Sequence, residues 1–183
     1  MAKLVSKVYG DALFSLALEE NRVDEIWEET KVLRQVMVEN PDFIPLLCNP
    51  NMTEAKRSEI LEEIFQGKIS DASMGFLEVL VKKGRLEEIV SVLDYFDDCT
   101  KEYKKIGVVY VSTPKALSKD QKKKVEDRIL EVSDYETLET HYSLEPDLLG
   151  GMVIRIGDRV LDNSIRSKMD LMTRKLSQVK LSN

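Results

Sequence analysis

The feature that most constrains this chain is a change of hydrophobic period. Through roughly its first hundred residues apolar side chains recur three and four apart, the spacing of one helix face. At "IGVVYVST", beginning with Ile106, the chain becomes β-branched and extended, and Pro114 closes the run. A switch of this kind divides the 183 residues into an all-helical part and a mixed one. The expected fold is an α-helical bundle of five to six helices over residues 1–105, followed by a small α+β domain over residues 106–183.

The helices are bounded by readable punctuation. Helix one covers about residues 3–20. Helix two carries Val23, Ile26, Trp27, Leu33 and Met37 on one face and stops at Asn40-Pro41, because proline cannot continue a helix from within. "PDFIPLLCNP" has room only for a short third helix. Thr53 is the expected N-cap of the fourth, which presents Ile60, Leu61, Ile64 and Phe65 before Gly67. Ser70 opens the fifth and Gly84 closes it, and Leu86, Ile89, Val90, Leu93, Phe96 and Tyr103 make a long sixth. After the first strand, "SKDQ" at 118–121 has the form of a capping box and opens a helix with Val125, Ile129 and Val132 inward. Two more strands are expected near "ETLETHYSLE" and "GMVIRIG". A Gly157-Asp158 turn then leads toward a tail helix from about Ser164.

Charge and composition exclude several functions. Residues 1–105 hold 14 Lys and Arg against 21 Asp and Glu, and residues 106–183 hold 13 against 12. An acidic first part and a neutral second disfavour nucleic acid, which requires concentrated positive charge. The lysines Lys122, Lys123 and Lys124 are the only basic run, and they are interleaved with Asp120, Glu126 and Asp127 on a helix that points them in three directions. A signal peptide is excluded by Asp11, which breaks the N-terminal apolar stretch, and no run of about 18 apolar residues is available to span a membrane. Cys48 and Cys99 lie in no CxxC or histidine cluster, so they read as buried thiols, and no metal site is expected. The single histidine, His141, has no triad partners in its segment. No phosphate loop, HExxH or GxSxG motif occurs, and Gly150-Gly151 precedes a strand where a phosphate-binding turn would follow one. Catalytic residues and cofactors are therefore expected to be absent.

What remains is surplus apolar surface. Leu4, Val5, Val8, Tyr9, Ala12, Leu13, Leu16 and Ala17 cover more than half of helix one, and Phe14 and Leu18 occupy the rest. Helix five is similar, and one packed face needs only somewhat more than 100°. Either both helices are central in the bundle, or they form a groove for an amphipathic helix of a partner. For the groove the expected contacts are Tyr9, Leu13, Phe76, Leu80 and Lys83. In the tail helix, Ile165, Met169, Met172, Leu176 and Val179 alternate spacings of four and three, a seam suited to another long helix or to the sheet of its own domain.

Two stretches carry a family resemblance. "VYGDALFSLA" resembles the Tyr-Ala-x-Ala-Leu-Phe opening of the delta subunits of F-type ATP synthases, the bacterial counterparts of the mitochondrial oligomycin-sensitivity-conferring protein. "GGMVIRIGDRVLDNSIRSKMDLM" resembles the family's C-terminal signature more closely, from the double glycine through Gly157-Asp158, Asp162 and Ser164 to Arg166 and Lys168. Gly10 stands where alanine is usual, which costs a helix about 1 kcal/mol, and Met169 stands where leucine is common. The resemblance implies a non-catalytic stator subunit without a membrane span of its own. The N-terminal bundle would hold the N-terminal helix of an alpha subunit. The C-terminal domain, through Ile165, Met169, Met172 and Leu176, would join the b subunits of the peripheral stalk on the cytoplasmic side of a bacterial cell membrane. The competing reading is a nucleic-acid-associated α+β protein using Lys122–Lys124, with a small hydrolase third.

Overall fold

The computed structural model describes the backbone of residues 2–180 and the side chains of residues 4–174. The chain divides into two compact units, Met1–Lys101 and Glu102–Asn183. Among the described residues, eight α-helices and four strands follow one another as α1 (Ala2–Glu19), α2 (Val23–Glu39), α3 (Phe43–Leu47), α4 (Glu54–Phe65), α5 (Asp71–Lys82), α6 (Ile89–Tyr103), β1 (Ile106–Thr113), α7 (Lys119–Val132), β2 (Thr137–Leu144), β3 (Val153–Ile156), β4 (Arg159–Asp162) and α8 (Ile165–Lys180). A helical part followed by an α+β part is thus what the chain forms.

The local starts are where the sequence places them. Thr53 Oγ1 accepts from the Lys56 amide and Ser70 Oγ from the Ser73 amide, each satisfying an amide that the first helical turn leaves free. Ser118 and Gln121 close a reciprocal capping box at α7. Helix six begins later than its apolar spacing suggests, because Leu86–Glu88 forms a 3-10 turn that tucks Leu86 into the core before α6 starts at Ile89.

In the first unit the core is built from all the long helices, with Ile26, Leu33, Phe65, Leu77, Ile89 and Phe96 essentially sealed from solvent. Each such side chain contributes about 1.5–3 kcal/mol on burial. Polar ties then fix helix against helix. Trp27 Nε1 donates to Asp97 Oδ1 at 2.6 Å, joining α2 to α6, and Arg34, further along α2, pairs with Asp94 of α6. The Glu29 carboxylate accepts from the Ser70 amide and hydroxyl, both at 2.8 Å, and from the Ser73 hydroxyl, which joins α2 to the first turn of α5. On α1, Phe14 meets Phe96 edge to face with centroids 6.1 Å apart.

The second unit is a four-stranded sheet in the order β2-β1-β3-β4. β1 and β2 run parallel, so α7 must cross over between them, while β3 and β4 add an antiparallel hairpin to the other edge of β1. Val109 and Val111 of β1 are fully buried beneath Ile129 of α7, with Val125, Leu138, Tyr142, Ile154 and Ile156 around them. The strand β4 was not expected. Its four residues are all exposed, so "RVLD" shows no inside and outside in its sequence, and it is a strand only because Val153–Ile156 offers it a hydrogen-bonding edge.

Candidate docking surfaces

The five residues expected to meet a partner on the helical unit divide in the structure. Leu13 is 2% and Leu80 0% exposed, and Phe76 is also buried; all three belong to the bundle core. Tyr9 is half-buried against that core, and only Lys83, the residue capping α5, is exposed. The apolar excess of α1 is shared between two faces. Ser6, Gly10, Leu13 and Ala17 line the inner one, whereas Leu4 (69% exposed) and Val8 (57%) lie outside with Ala12 at a spacing of four. Periodicity identified the surplus and could not say which stripe turned inward, because both have the same spacing.

On α5 the apolar residue that faces outward is Val79, one turn beyond the half-buried Gly75, while Ala72 packs against the core. Val79 is exposed, and nothing lies within 4 Å of where a Gly75 side chain would start. Both α1 and α5 pack on α2 and on the 3-10 turn at Leu86–Glu88, so the two helices share neighbours within one bundle.

In the second unit, the glycine-rich stretch forms the root of α8. Gly151 has φ +78°, and a side chain there would collide with the backbone carbonyl of Asn163. That close approach lets the Met152 carbonyl accept from the Asn163 amide at 3.0 Å and the Gly150 carbonyl accept from the Ile165 amide at 2.9 Å. Asp162 then accepts from the Ser164 amide at 2.8 Å and from the Ser167 hydroxyl, and the fully buried Ser164 accepts from the Ser167 amide at 3.2 Å. These donors, the Ser167 hydroxyl foremost, hold the Asp162 carboxyl below its ordinary range. The arrangement makes Ser164 an N-cap three residues before Ser167, a spacing present in the sequence. Its physical effect is to set the direction in which α8 leaves the sheet.

Beyond that root, Ile165, Met169 and Met172 are exposed along one seam of α8, Met172 at 62%, and Leu171 is exposed beside them. The side chains of Leu176 and Val179 lie outside the described residues.

The remaining candidates sit apart from one another. His141 stacks on Tyr110 with ring centroids 5.0 Å apart, and its Nε2 is 3.0 Å from Glu139 Oε1 on the exposed side of the sheet. Lys122 lies over the Tyr142 ring at 4.4 Å while Lys123 and Lys124 are exposed, so the three lysines share no single surface. Cys48 and Cys99 are half-buried in the helical unit and are not joined in a disulfide. Among the described residues no three His, Cys, Asp or Glu side chains gather where a metal could bind, and no helix is long and apolar enough to cross a membrane.

Each of the two compact units thus leaves apolar residues of one helix exposed, Leu4 and Val8 in the first and Met169 and Met172 in the second. Comparison with known proteins gives the family. The family model of the ATP synthase delta (OSCP) subunit matches residues 5–176, and the chain belongs to that family. It is 42% identical over 181 residues to the ATP synthase subunit delta of Lachnoclostridium phytofermentans, covering 99% of this chain and 100% of that one. It is 30% identical to the ATP synthase subunit delta of Alkalihalophilus pseudofirmus, covering 94% of each. The fold also matches a chain in the cryo-EM structure of the Toxoplasma gondii mitochondrial ATP synthase hexamer, with a TM-score of 0.72 at 19% identity over 93% of this chain and 96% of the other. The protein is a non-catalytic stator subunit of the F-type ATP synthase.

Proposed function

We propose that the helical part, residues 1–105, holds the N-terminal helix of an alpha subunit of the catalytic head, and that residues 106–183 hold the b subunits of the peripheral stalk. The protein then works at the cytoplasmic side of a bacterial cell membrane. The observation that carries this reading is the pairing of two uncovered apolar stripes, one in each unit: Leu4 and Val8 on α1, and Ile165, Met169 and Met172 on α8. The contacts on the helical unit are the outer stripe of α1 and Val79 of α5, with Tyr9 and Lys83 at their margin. Leu13, Phe76 and Leu80 support that face from within.

The mechanics follow from the energetics. Rotation loads both joints, and exposed ion pairs contribute only about 0–1 kcal/mol each. A helix laid into an apolar face removes far more surface from water. Carrying both joints on one chain also raises the effective concentration of the second once the first is made. The acidic charge of residues 1–105 suits a partner helix with basic flanks.

The test is assembly and coupling in the membrane complex. Serines at Met172 and Leu176, or removal of residues 164–183, are expected to reduce attachment to the stalk while the head stays bound and still hydrolyses ATP, so proton pumping falls. Normal pumping with the stalk attached would refute the assignment of α8. Circular dichroism of each variant separates loss of docking from loss of fold.

A further inference from the structure

The charge of α8 departs from that of the rest of the chain. The whole sequence is net −6, and residues 106–183 are close to balanced with 13 Lys and Arg against 12 Asp and Glu. Within α8 alone stand five cations, Arg166, Lys168, Arg174, Lys175 and Lys180, against one acid, Asp170. The positive charge of the second unit is thus concentrated on one helix of 16 residues.

Those cations flank the apolar seam. At roughly 100° per residue, Ile165, Met169 and Met172 fall within an arc of about 60°, with Lys168 about 40° beyond Met172 on one margin and Arg166 about 60° beyond Met169 on the other. Asp170 and Arg174 lie on the far side of the helix, and all seven residues are exposed. Neither Arg166 nor Lys168 is engaged in an ion pair or side-chain hydrogen bond within the chain.

An apolar stripe bordered on both sides by long cationic side chains is the pattern of a helix that lies in the plane of an anionic lipid surface. Its apolar residues enter the boundary of the acyl chains, while the stems of lysine and arginine carry their charged ends outward to the headgroups. A lipid surface reaches both margins of the helix at once, and each cation near it strengthens binding about fivefold. At 1.5 Å per residue α8 is about 24 Å long, and no described helix is long and apolar enough to cross a membrane, so this helix lies on a surface and does not span it. The net charge of the chain opposes such binding. The attraction must therefore come from the local cluster, acting over the roughly 8 Å that salt leaves unscreened.

We propose that, outside the assembled ATP synthase, α8 lies on an anionic membrane surface, with Ile165, Met169 and Met172 at the acyl boundary and Arg166 and Lys168 among the headgroups. One seam cannot face lipid and a stalk helix together, so lipid binding and stalk attachment exclude each other. The proposal does not rest on the stalk reading, and its test contains no other subunit. The purified full chain is floated with vesicles of phosphatidylcholine alone and with vesicles of equal parts phosphatidylglycerol and phosphatidylcholine. The expected result is binding to the anionic vesicles at least about tenfold stronger than to the neutral ones, falling as salt is raised. Arg166→Glu with Lys168→Glu should lower that binding at least about tenfold, and Met169→Ser with Met172→Ser at least about fivefold. Lys123→Glu with Lys124→Glu, the same change of net charge placed on α7, should alter it by less than about twofold. Circular dichroism of each variant checks the fold, and if one α8 pair fails to fold the other decides. The proposal is overturned if the chain does not bind the anionic vesicles or binds both kinds equally. It is equally overturned if the α7 pair weakens binding as much as the α8 pair does, or if the serine pair leaves binding unchanged.

Discussion

The ring of Tyr95 on α6 lies directly over the backbone of Gly10 on α1. A side chain at residue 10 would overlap Tyr95 Cδ1 and come within 3.3 Å of Cγ and Cε1. The ring is held there by its hydroxyl, which donates to Asp11 Oδ1 at 3.0 Å. Gly10 is therefore more than a weak residue in a helix, which is how its sequence position reads: it is the seat that lets α6 approach α1. Replacing it with alanine should destabilise the protein by about 1–3 kcal/mol through overpacking, against the roughly 1 kcal/mol that helix propensity would return. Urea denaturation of Gly10→Ala, Tyr95→Leu and the double variant checks this. In the Tyr95→Leu background the alanine should be neutral or stabilising, and equal costs in both backgrounds would show that the ring is not the cause.

Glu29 reaches across 41 residues of sequence to cap α5. Ser73, one of its partners, is almost completely buried, so deleting the carboxylate leaves a buried hydroxyl and a helix-terminal amide without their acceptor. Glu29→Ala should cost about 1–3 kcal/mol. Hydrogen exchange at the first turn of α5 should rise more than at its last turn. Uniform exchange along α5 would count against the cap.

The two faces of α1 should respond oppositely to the same chemistry. Leu13→Asp buries a charge and should unfold the helical unit. Val8→Asp lies outside and should change stability by no more than about 0.5 kcal/mol. If the outer stripe is the docking face, Val8→Asp also weakens binding to the catalytic head by about 2 kcal/mol. Sedimentation of each variant with the head, beside its melting curve, separates the two effects.

The cap of α8 makes a pH prediction. The Ser167 hydroxyl, with the Ser164 amide and hydroxyl, lowers the Asp162 pKa in the folded chain. A lowered carboxylate pKa contributes stability that is present above the unfolded value, near 4, and disappears as pH falls through the folded value. Attachment of α8 should thus be unaffected from neutral pH down to about 5 and weaken only below about 4. The Asp162 carboxyl carbon, followed by NMR, should titrate below the ordinary aspartate range. In Ser167→Ala its titration should move back toward that range.

Much of the fold was legible in the residues because its signals are local. Thr53, Ser70, and Ser118 with Gln121 act within one turn, and the period switch at Ile106 expresses whether neighbours lie along a helix or across a strand. The C-terminal signature was legible as a signature, and so was the apolar spacing of α8, but not whether that seam faced the sheet or solvent. What needed the tertiary structure was every decision between equivalent local choices. The stripes Leu4–Val8 and Leu13–Ala17 have the same helical spacing, and only packing against α2 and α6 determined which one faces inward. The strand β4 has no buried face of its own and depends on an edge supplied by β3. Gly10 with Tyr95, Glu29 with Ser70, and Gly151 with Asn163 are contacts between residues that local spacing does not relate. Local propensity acts over the few residues that share a turn, whereas burial depends on surfaces that do not exist until distant segments have met. The sequence by itself determined the elements and their order; the packed structure decided which apolar surfaces were left for partners.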